Sequence, residues 1–466
     1  MLFSSLEFLY LFLPTVILVY FISPRRIRNH VLLIASLIFY GFAQPGLLPL
    51  MLGVIALDFC AGLFVAKSMI QGNTRSADRR LAVTCIVNIA ILFVFKYLSF
   101  AMALLGIDFH LELPVGISFY IFQALSYVID VRRGEARPQT NALTFATYVS
   151  LFPQLIAGPI VRYCQIEDSL SHRRESIRLF FEGFCLFCVG LAKKVLLANS
   201  AGEEWSRALS VLRASPNILG AWVGLLFFAF QIYFDFSGDS DMARGLGKIF
   251  GFEFPENFRY PYVARSITDF WRRWHITLSA WFREYVYIPL GGNRRGKRRM
   301  YIALLITWAL TGLWHGAYLN FPLWGLYFFV LIALEKAFLL KLLDRLPSVV
   351  CHIYTLLLVL LSWLIFVSDG DTLTLSEGAR YLGWMAGVGS ALVCTESVFD
   401  FLRNAIFLAI MCVACTPIAS KTFQTLGAKA PRWRTVISGT LSIISLLLCT
   451  AKLTQGSYNP FLYFRF

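Results

Sequence analysis

Long apolar runs recur from one end of this chain to the other, and they decide its solvent. Windows of roughly 18 or more apolar residues are the length a helix needs to cross the ~30 Å hydrocarbon core of a bilayer. Of the 466 residues, 58% are hydrophobic and only 15% charged. Few soluble folds could hide that much apolar surface, so the sequence reads as an all-α polytopic integral membrane protein. The runs do not alternate with period two, which argues against an outer-membrane barrel. We expect roughly eleven to thirteen membrane helices, with re-entrant and amphipathic segments among them. No linker, tandem repeat or low-complexity tract marks a second domain, so residues 1–466 read as one body. Its core of chemistry covers about 140–345, and an aromatic tail covers 457–466.

The formal net charge of +15 fits positive-inside bias and anionic headgroups better than nucleic acid. Lys and Arg sit in short loops between runs, not on one soluble face. Arg25, Arg26 and Arg28 follow the first run, Lys67, Arg75, Arg79 and Arg80 the third, and Arg132, Arg133 and Arg137 the fifth. Loops 44–49 and 106–114 carry neither Lys nor Arg. This alternation places the N-terminus outside and the basic loops in the cytoplasm. Lys421, Lys429, Arg432 and Arg434 precede the last run, so the C-terminus also exits outside. Residues 6–22 lack a basic n-region and a small-residue cleavage site, and read as a retained span.

An ionisable group at membrane depth is expensive, and His315 is one. It ends the apolar run 301–313 within Thr311-Gly312-Leu313-Trp314-His315-Gly316. A helix starting near Met300 would lift it roughly 22 Å above the cytoplasmic boundary. Gly316 and Pro322 then interrupt the chain, so His315 falls at a helix break. Two readings stand: a structural histidine satisfied by neighbouring helices, or a general base near neutral pH.

Residues 266–287 read as one amphipathic helix in the membrane interface, with Ser266 as N-cap. Trp271, Trp274, His275, Leu278, Trp281, Phe282 and Tyr285 share a broad face. From spacing alone His275 is an interfacial histidine. His30, His110, His172 and His352 have no partner that the sequence names. The following loop carries Arg294, Arg295, Lys297, Arg298 and Arg299; it is a topology signal or a docking patch for an acidic donor. Asp235, Asp239 and Asp241 lie at the end of an apolar run and mimic part of a calcium loop. Loop position 12 is Leu246 where a bidentate Glu is needed, so we expect no metal there and a polar cavity lining instead. Residues 144–161 are apolar but broken by Pro153, Gly158 and Pro159, the pattern of a re-entrant segment. The ten cysteines, including the pairs Cys185/Cys188 and Cys412/Cys415, read as packed small hydrophobes.

Several of these stretches together resemble one family. Trp314-His315-Gly316 at a helix end resembles the signature of the membrane-bound O-acyltransferase (MBOAT) superfamily. Asp269-Phe270-Trp271-Arg272-Arg273-Trp274-His275-Ile276-Thr277-Leu278-Ser279 is a longer match. Tyr287-Ile288-Pro289-Leu290-Gly291-Gly292-Asn293-Arg294, Phe152-Pro153-Gln154-Leu155-Ile156-Ala157-Gly158-Pro159, Phe461-Leu462-Tyr463-Phe464 and the opening Phe3-Ser4-Ser5 are similar to its bacterial alginate O-acetyltransferase branch. The resemblance covers essentially the whole chain. It implies a protein of the bacterial inner membrane with no bound cofactor. An acyl thioester, acetyl-CoA or an acyl-carrier, would be the cytoplasmic donor, and a periplasmic serine-dependent acetyltransferase the partner. By the resemblance His315 is the catalytic histidine, and His275 the second active-site position, orienting substrate or steadying an oxyanion. By the same resemblance Tyr463 would be an acyl relay. Trp314, Trp274, Asp235 and Asp241 are expected to line the substrate site. The chain departs from the family at Asp239, where an aromatic residue is usual, and an extra acid there would alter the polarity of the cavity.

The leading expectation is acetyl transfer to an exopolysaccharide of the alginate kind. D-alanyl transfer, or acyl transfer to peptidoglycan or cellulose, would use the same mechanism. A lipid-linked sugar transporter and a non-catalytic scaffold are the rivals of another class.

Overall fold

A computed structural model describes residues 1–156 and 158–456, the side chains of 426–429 excepted. Tyr463 and the rest of the aromatic tail lie outside the described residues. Those residues are mostly helical, and no strand occurs among them. The helices used below are α1 (Leu48–Ile70), α2 (Thr74–Leu104), α3 (Ile117–Arg133), α4 (Ile218–Ile249), α5 (Ile267–Trp271), α6 (Ile276–Phe282), α7 (Lys297–His315), α8 (Asn320–Leu334) and α9 (Ser348–Val367).

Among the described residues, five helices are able by length and composition to cross a bilayer: Pro45–Ile70, Thr74–Leu104, Ile218–Ile249, Ser348–Val367 and Pro431–Thr454. Thr395–Arg403 and Ala405–Ala414 make a sixth if the pair, bent by 54°, is one span. Other apolar runs fold as shorter helices, such as the 15-residue α8. Their breaks are what distinguish this chain from a simple bundle. The chain forms two compact units, one of Met1–Gly190 with Asp239–Pro255, the other of Leu191–Gly238 and the chain from Glu256 onward.

In the first unit, α1 and α3 approach closely because Gly62 has no side chain. A Cβ there would lie 2.5 Å from the Tyr127 ring. Between α1 and α2 the buried Asn88 amide donates to the Asp58 carboxylate at 3.0 Å. A second polar knot ties the first helices to Glu175: Tyr20 donates to it at 2.7 Å, and Arg28 pairs with it at 2.9 Å. Arg28 is therefore a structural partner within this unit. The broken segment at Pro153 is buried, as backbone of this kind must be at membrane depth. Ser36 accepts the Phe152 amide at 3.0 Å, and the Gln154 amide donates to the Tyr148 carbonyl at 2.6 Å.

Two sequence expectations need correction. The stretch 266–287 is not one interfacial helix. It breaks at His275, whose backbone is left-handed (φ 44°), and Trp271, Trp274, Leu278, Trp281 and Phe282 are buried. Periodicity grouped the apolar side chains correctly, but tertiary hydrogen bonds override a continuous helix. Ser266 does cap α5, accepting the Asp269 amide at 3.0 Å. Asp235, Asp239 and Asp241 do not sit at a helix end either; α4 runs on to Ile249.

In the second unit α7 and α8 pack backbone against backbone. A Cβ on Gly325 would lie 2.3 Å from the Trp308 carbonyl oxygen, and one on Gly312 2.4 Å from that of Phe321. Small residues that admit such contact are how helices associate where lipid removes the hydrophobic drive. Alanine is the better helix former by about 1 kcal/mol. Overpacking by about 1–3 kcal/mol wins here, so Gly312→Ala and Gly325→Ala should each lower the unfolding midpoint in detergent. Gly53→Ala, with no atom within 4 Å of the new Cβ, should leave it unchanged or raise it.

Candidate active site

His315 is the last residue of α7. The helix stops there because Gly316 is fully extended and its amide turns back to the Leu313 carbonyl at 3.1 Å. A Cβ on Gly316 would strike the Phe321 ring at 2.3 Å. Asn320, at the start of α8, donates to the Phe366 carbonyl at 2.8 Å and ties this corner to the end of α9. The buried His315 ring sits in an aromatic cage. Trp314, Trp324 and Phe366 meet it near edge-on at 4.9, 5.0 and 5.3 Å between centroids, and Phe321 lies nearly parallel at 6.4 Å. These walls exclude bulk water from the ring.

His275 lies against the same wall. Its ring is 6.0 Å from Trp314, so one indole borders both histidines. Phe236 and Phe258 close the other sides at 6.2 and 6.1 Å. Burial pushes the His275 pKa below the ordinary histidine range. A left-handed non-glycine backbone costs about 1 kcal/mol or more, and here Asn257 holds it in place. The Asn257 carbonyl accepts the Ile276 amide at 2.9 Å, and its side-chain oxygen accepts the Thr277 amide at 3.1 Å.

The MBOAT, membrane-bound O-acyltransferase, family model matches residues 89–368, more than half the chain. The chain belongs to the membrane-bound O-acyltransferase family. It is 37% identical to the "Probable alginate O-acetylase AlgI" of Pseudomonas putida over the full length of both chains. It is 32% identical to the peptidoglycan O-acetyltransferase of Helicobacter pylori, covering 91% of this chain and 87% of that one. It is 28% identical to the teichoic acid D-alanyltransferase of Bacillus subtilis, covering 48% and 59%. The protein is a multi-pass membrane O-acyltransferase.

The other sequence-predicted residues of the acyltransferase have partners of their own. Trp274 packs in the aromatic body beside His275, 4.9 Å from Trp363 and 5.1 Å from Phe258. Asp235 is buried in an ion pair with Lys194, so its charge is matched inside the protein. Asp241 pairs with Arg244 at 3.2 Å and belongs to the first unit, whereas both histidines belong to the second. Arg294, Arg295, Lys297 and Arg298 are exposed on the loop and first turn that begin α7. At 1.5 Å per residue, the 19-residue α7 puts about 27 Å between that basic end and His315.

The sequence reading missed the residues that hold the site. Glu335, buried, reaches from the end of α8 to the start of α5. It accepts the Ile267 and Thr268 amides at 2.7 and 2.8 Å, the Thr268 hydroxyl at 2.6 Å and the Tyr354 hydroxyl at 3.3 Å. A carboxylate on the free amides of a helix start is favourable in sign and geometry. His352 steadies the same entry, donating from Nδ1 to the Ala264 carbonyl at 3.0 Å. A lone acid ending an apolar run was the available signal for Glu335. Nothing in the sequence pointed to Asn257. Glu335→Gln should destabilise the protein by about 1–3 kcal/mol, because an amide NH₂ would face amide donors. The check is the unfolding midpoint together with faster proteolysis near Arg265.

Proposed function

We propose that this acyltransferase carries an acetyl group from a cytoplasmic thioester across the bacterial inner membrane for O-acetylation of an alginate-like exopolysaccharide. The observation that carries the reading is His315: a base at a helix end, caged by aromatic rings and bordered by the wall it shares with His275. Similarity to the P. putida protein, named as an alginate O-acetylase, over the whole of both chains supports the acceptor. The lower identity to the peptidoglycan and teichoic acid enzymes makes their acceptors the second choice.

In the proposed reaction His315 removes the proton of an acceptor hydroxyl as that oxygen attacks the thioester carbonyl. The tetrahedral intermediate collapses with loss of the C–S bond, and the imidazolium returns its proton to the departing thiolate. Tyr463, outside the described residues, is the proposed first acceptor. Its ester would then pass the acyl group to a periplasmic serine-dependent partner. A phenol has a pKa near 10, so it needs such a base to act as nucleophile. The donor, acetyl-CoA or an acylated carrier, docks by its phosphates or acidic surface on Arg294, Arg295, Lys297 and Arg298, and its arm reaches inward along α7. Both chain termini face the periplasm.

His315→Ala should abolish thioester turnover by the purified protein, by at least about 10³-fold on the scale of losing a general base, while membrane insertion and helicity are retained. A transporter or a scaffold would tolerate the change, so full activity of this variant overturns the reading. Replacing Arg294, Arg295, Lys297 and Arg298 together by Glu should raise the donor KM about tenfold or more with kcat within a factor of a few, and the wild-type KM should rise with salt. An unchanged KM would leave the loop as a topology signal.

A further inference from the structure

The contacts of Asn257 settle a question that the pair of histidines leaves open, namely which nitrogen of His275 carries the proton. Asn257 is buried, and the atom assigned as Oδ1 lies 3.1 Å from the Thr277 backbone amide. That amide is only a donor, so the side-chain atom facing it is the oxygen and not the nitrogen. The Thr277 hydroxyl donates to the same oxygen at 2.9 Å. His275 Nδ1 lies 3.3 Å from it. A carbonyl oxygen offers no proton, so the nitrogen facing it is protonated. A neutral imidazole carries one proton, and burial disfavours the charged form. His275 Nε2 is therefore left with its lone pair. It is buried, with no hydrogen-bond partner among the described residues.

We propose that Asn257 is a positioning residue that locks His275 as the Nδ1–H tautomer, so that Nε2 accepts a hydrogen bond from substrate and gives none. The inference rests on the acyl-transfer reading and sharpens it. A neutral Nε2 lone pair cannot steady an oxyanion, which needs a donor. It can hold the proton of a hydroxyl or of an amide N–H on the bound reactants. His275 thus orients a substrate donor group, whereas His315 removes the proton, and the oxyanion is stabilised by another group. The same oxygen fixes the left-handed turn through Thr277, so one side chain sets both the direction of the ring and its protonation. At metal-bound histidines, partners that fix the tautomer in this way matter by about 10- to 100-fold, and an effect of that order is expected here.

The direct test is ¹⁵N NMR of wild-type protein labelled at its six histidines in lipid nanodiscs. The resonances lost in His275→Asn belong to His275. Expected is a protonated Nδ1 and a bare Nε2; a protonated Nε2 overturns the proposal whatever the activity. The kinetic test uses two variants. Asn257→Asp keeps the oxygen acceptor and should retain activity within about threefold. Asn257→Leu removes it and should lose about 10- to 100-fold in kcat with the donor KM within about twofold. Equal losses in both variants, or a loss confined to KM, would mean that Asn257 only packs. If wild-type protein turned over no thioester, acyl transfer would fail as the function, while the NMR experiment would still decide the tautomer.

Discussion

The second unit depends on the contact between α7 and α8, where Gly312 and Gly325 let two helix backbones touch. Without a Cβ at either position the larger side chains on both helices are pushed to the flanks of the seam. Trp308 and Phe328 meet on one side at 5.5 Å, and both pack on Trp271 of α5 at 4.7 and 4.9 Å. His315 and Trp324 meet at 5.0 Å. The cage around His315 is thus a consequence of helix approach. In hydrocarbon the approach itself is driven by van der Waals contact, since apolar side chains gain little by leaving lipid.

Backbone breaks at membrane depth create free amides and carbonyls that lipid cannot satisfy. The buried polar side chains of this chain are placed where those breaks occur. Ser36 meets the amide after the break at Leu151, Glu335 meets the first amides of α5, Asn257 meets the turn at His275, and Asn320 meets the carbonyl at the end of α9. Each is one acceptor or donor per orphan group. A chain of uninterrupted spans would need none of them. The breaks at His275 and after His315 leave both rings against one aromatic wall, Trp314.

Some of this was legible in the sequence. Gly316 announces the end of α7. Ser266 announces the start of α5. The break at His275 was not legible, because residues on both sides keep helical spacing and the group that decides against a helix, Asn257, lies 18 residues upstream. The ion pair of Asp235 is not legible for the same reason: its partner Lys194 is 41 residues away. Periodicity sees which side chains are apolar together, but it does not see a long-range hydrogen bond that bends the chain between them. Likeness to the family's motif singled out His275 where spacing gave no reason to.

The two ends of α7 carry opposite chemistry, and this asymmetry constrains the proposed reaction. The first turn holds Lys297, Arg298 and Arg299 in place of the acids that a helix start prefers. Positive side chains and positive helix end add to one field, which is costly for the helix and favourable for an anion. The other end carries His315 among apolar rings, where an anion would be poorly solvated. A donor with an acidic head and a thin neutral thioester arm fits that gradient: the head stays where charge is matched and only the uncharged reacting end moves about 27 Å inward. A small charged acetyl donor would have no reason to leave the basic end. On the proposed reading, a thioester whose acyl group is carried on a long arm suits this gradient better than a compact charged donor.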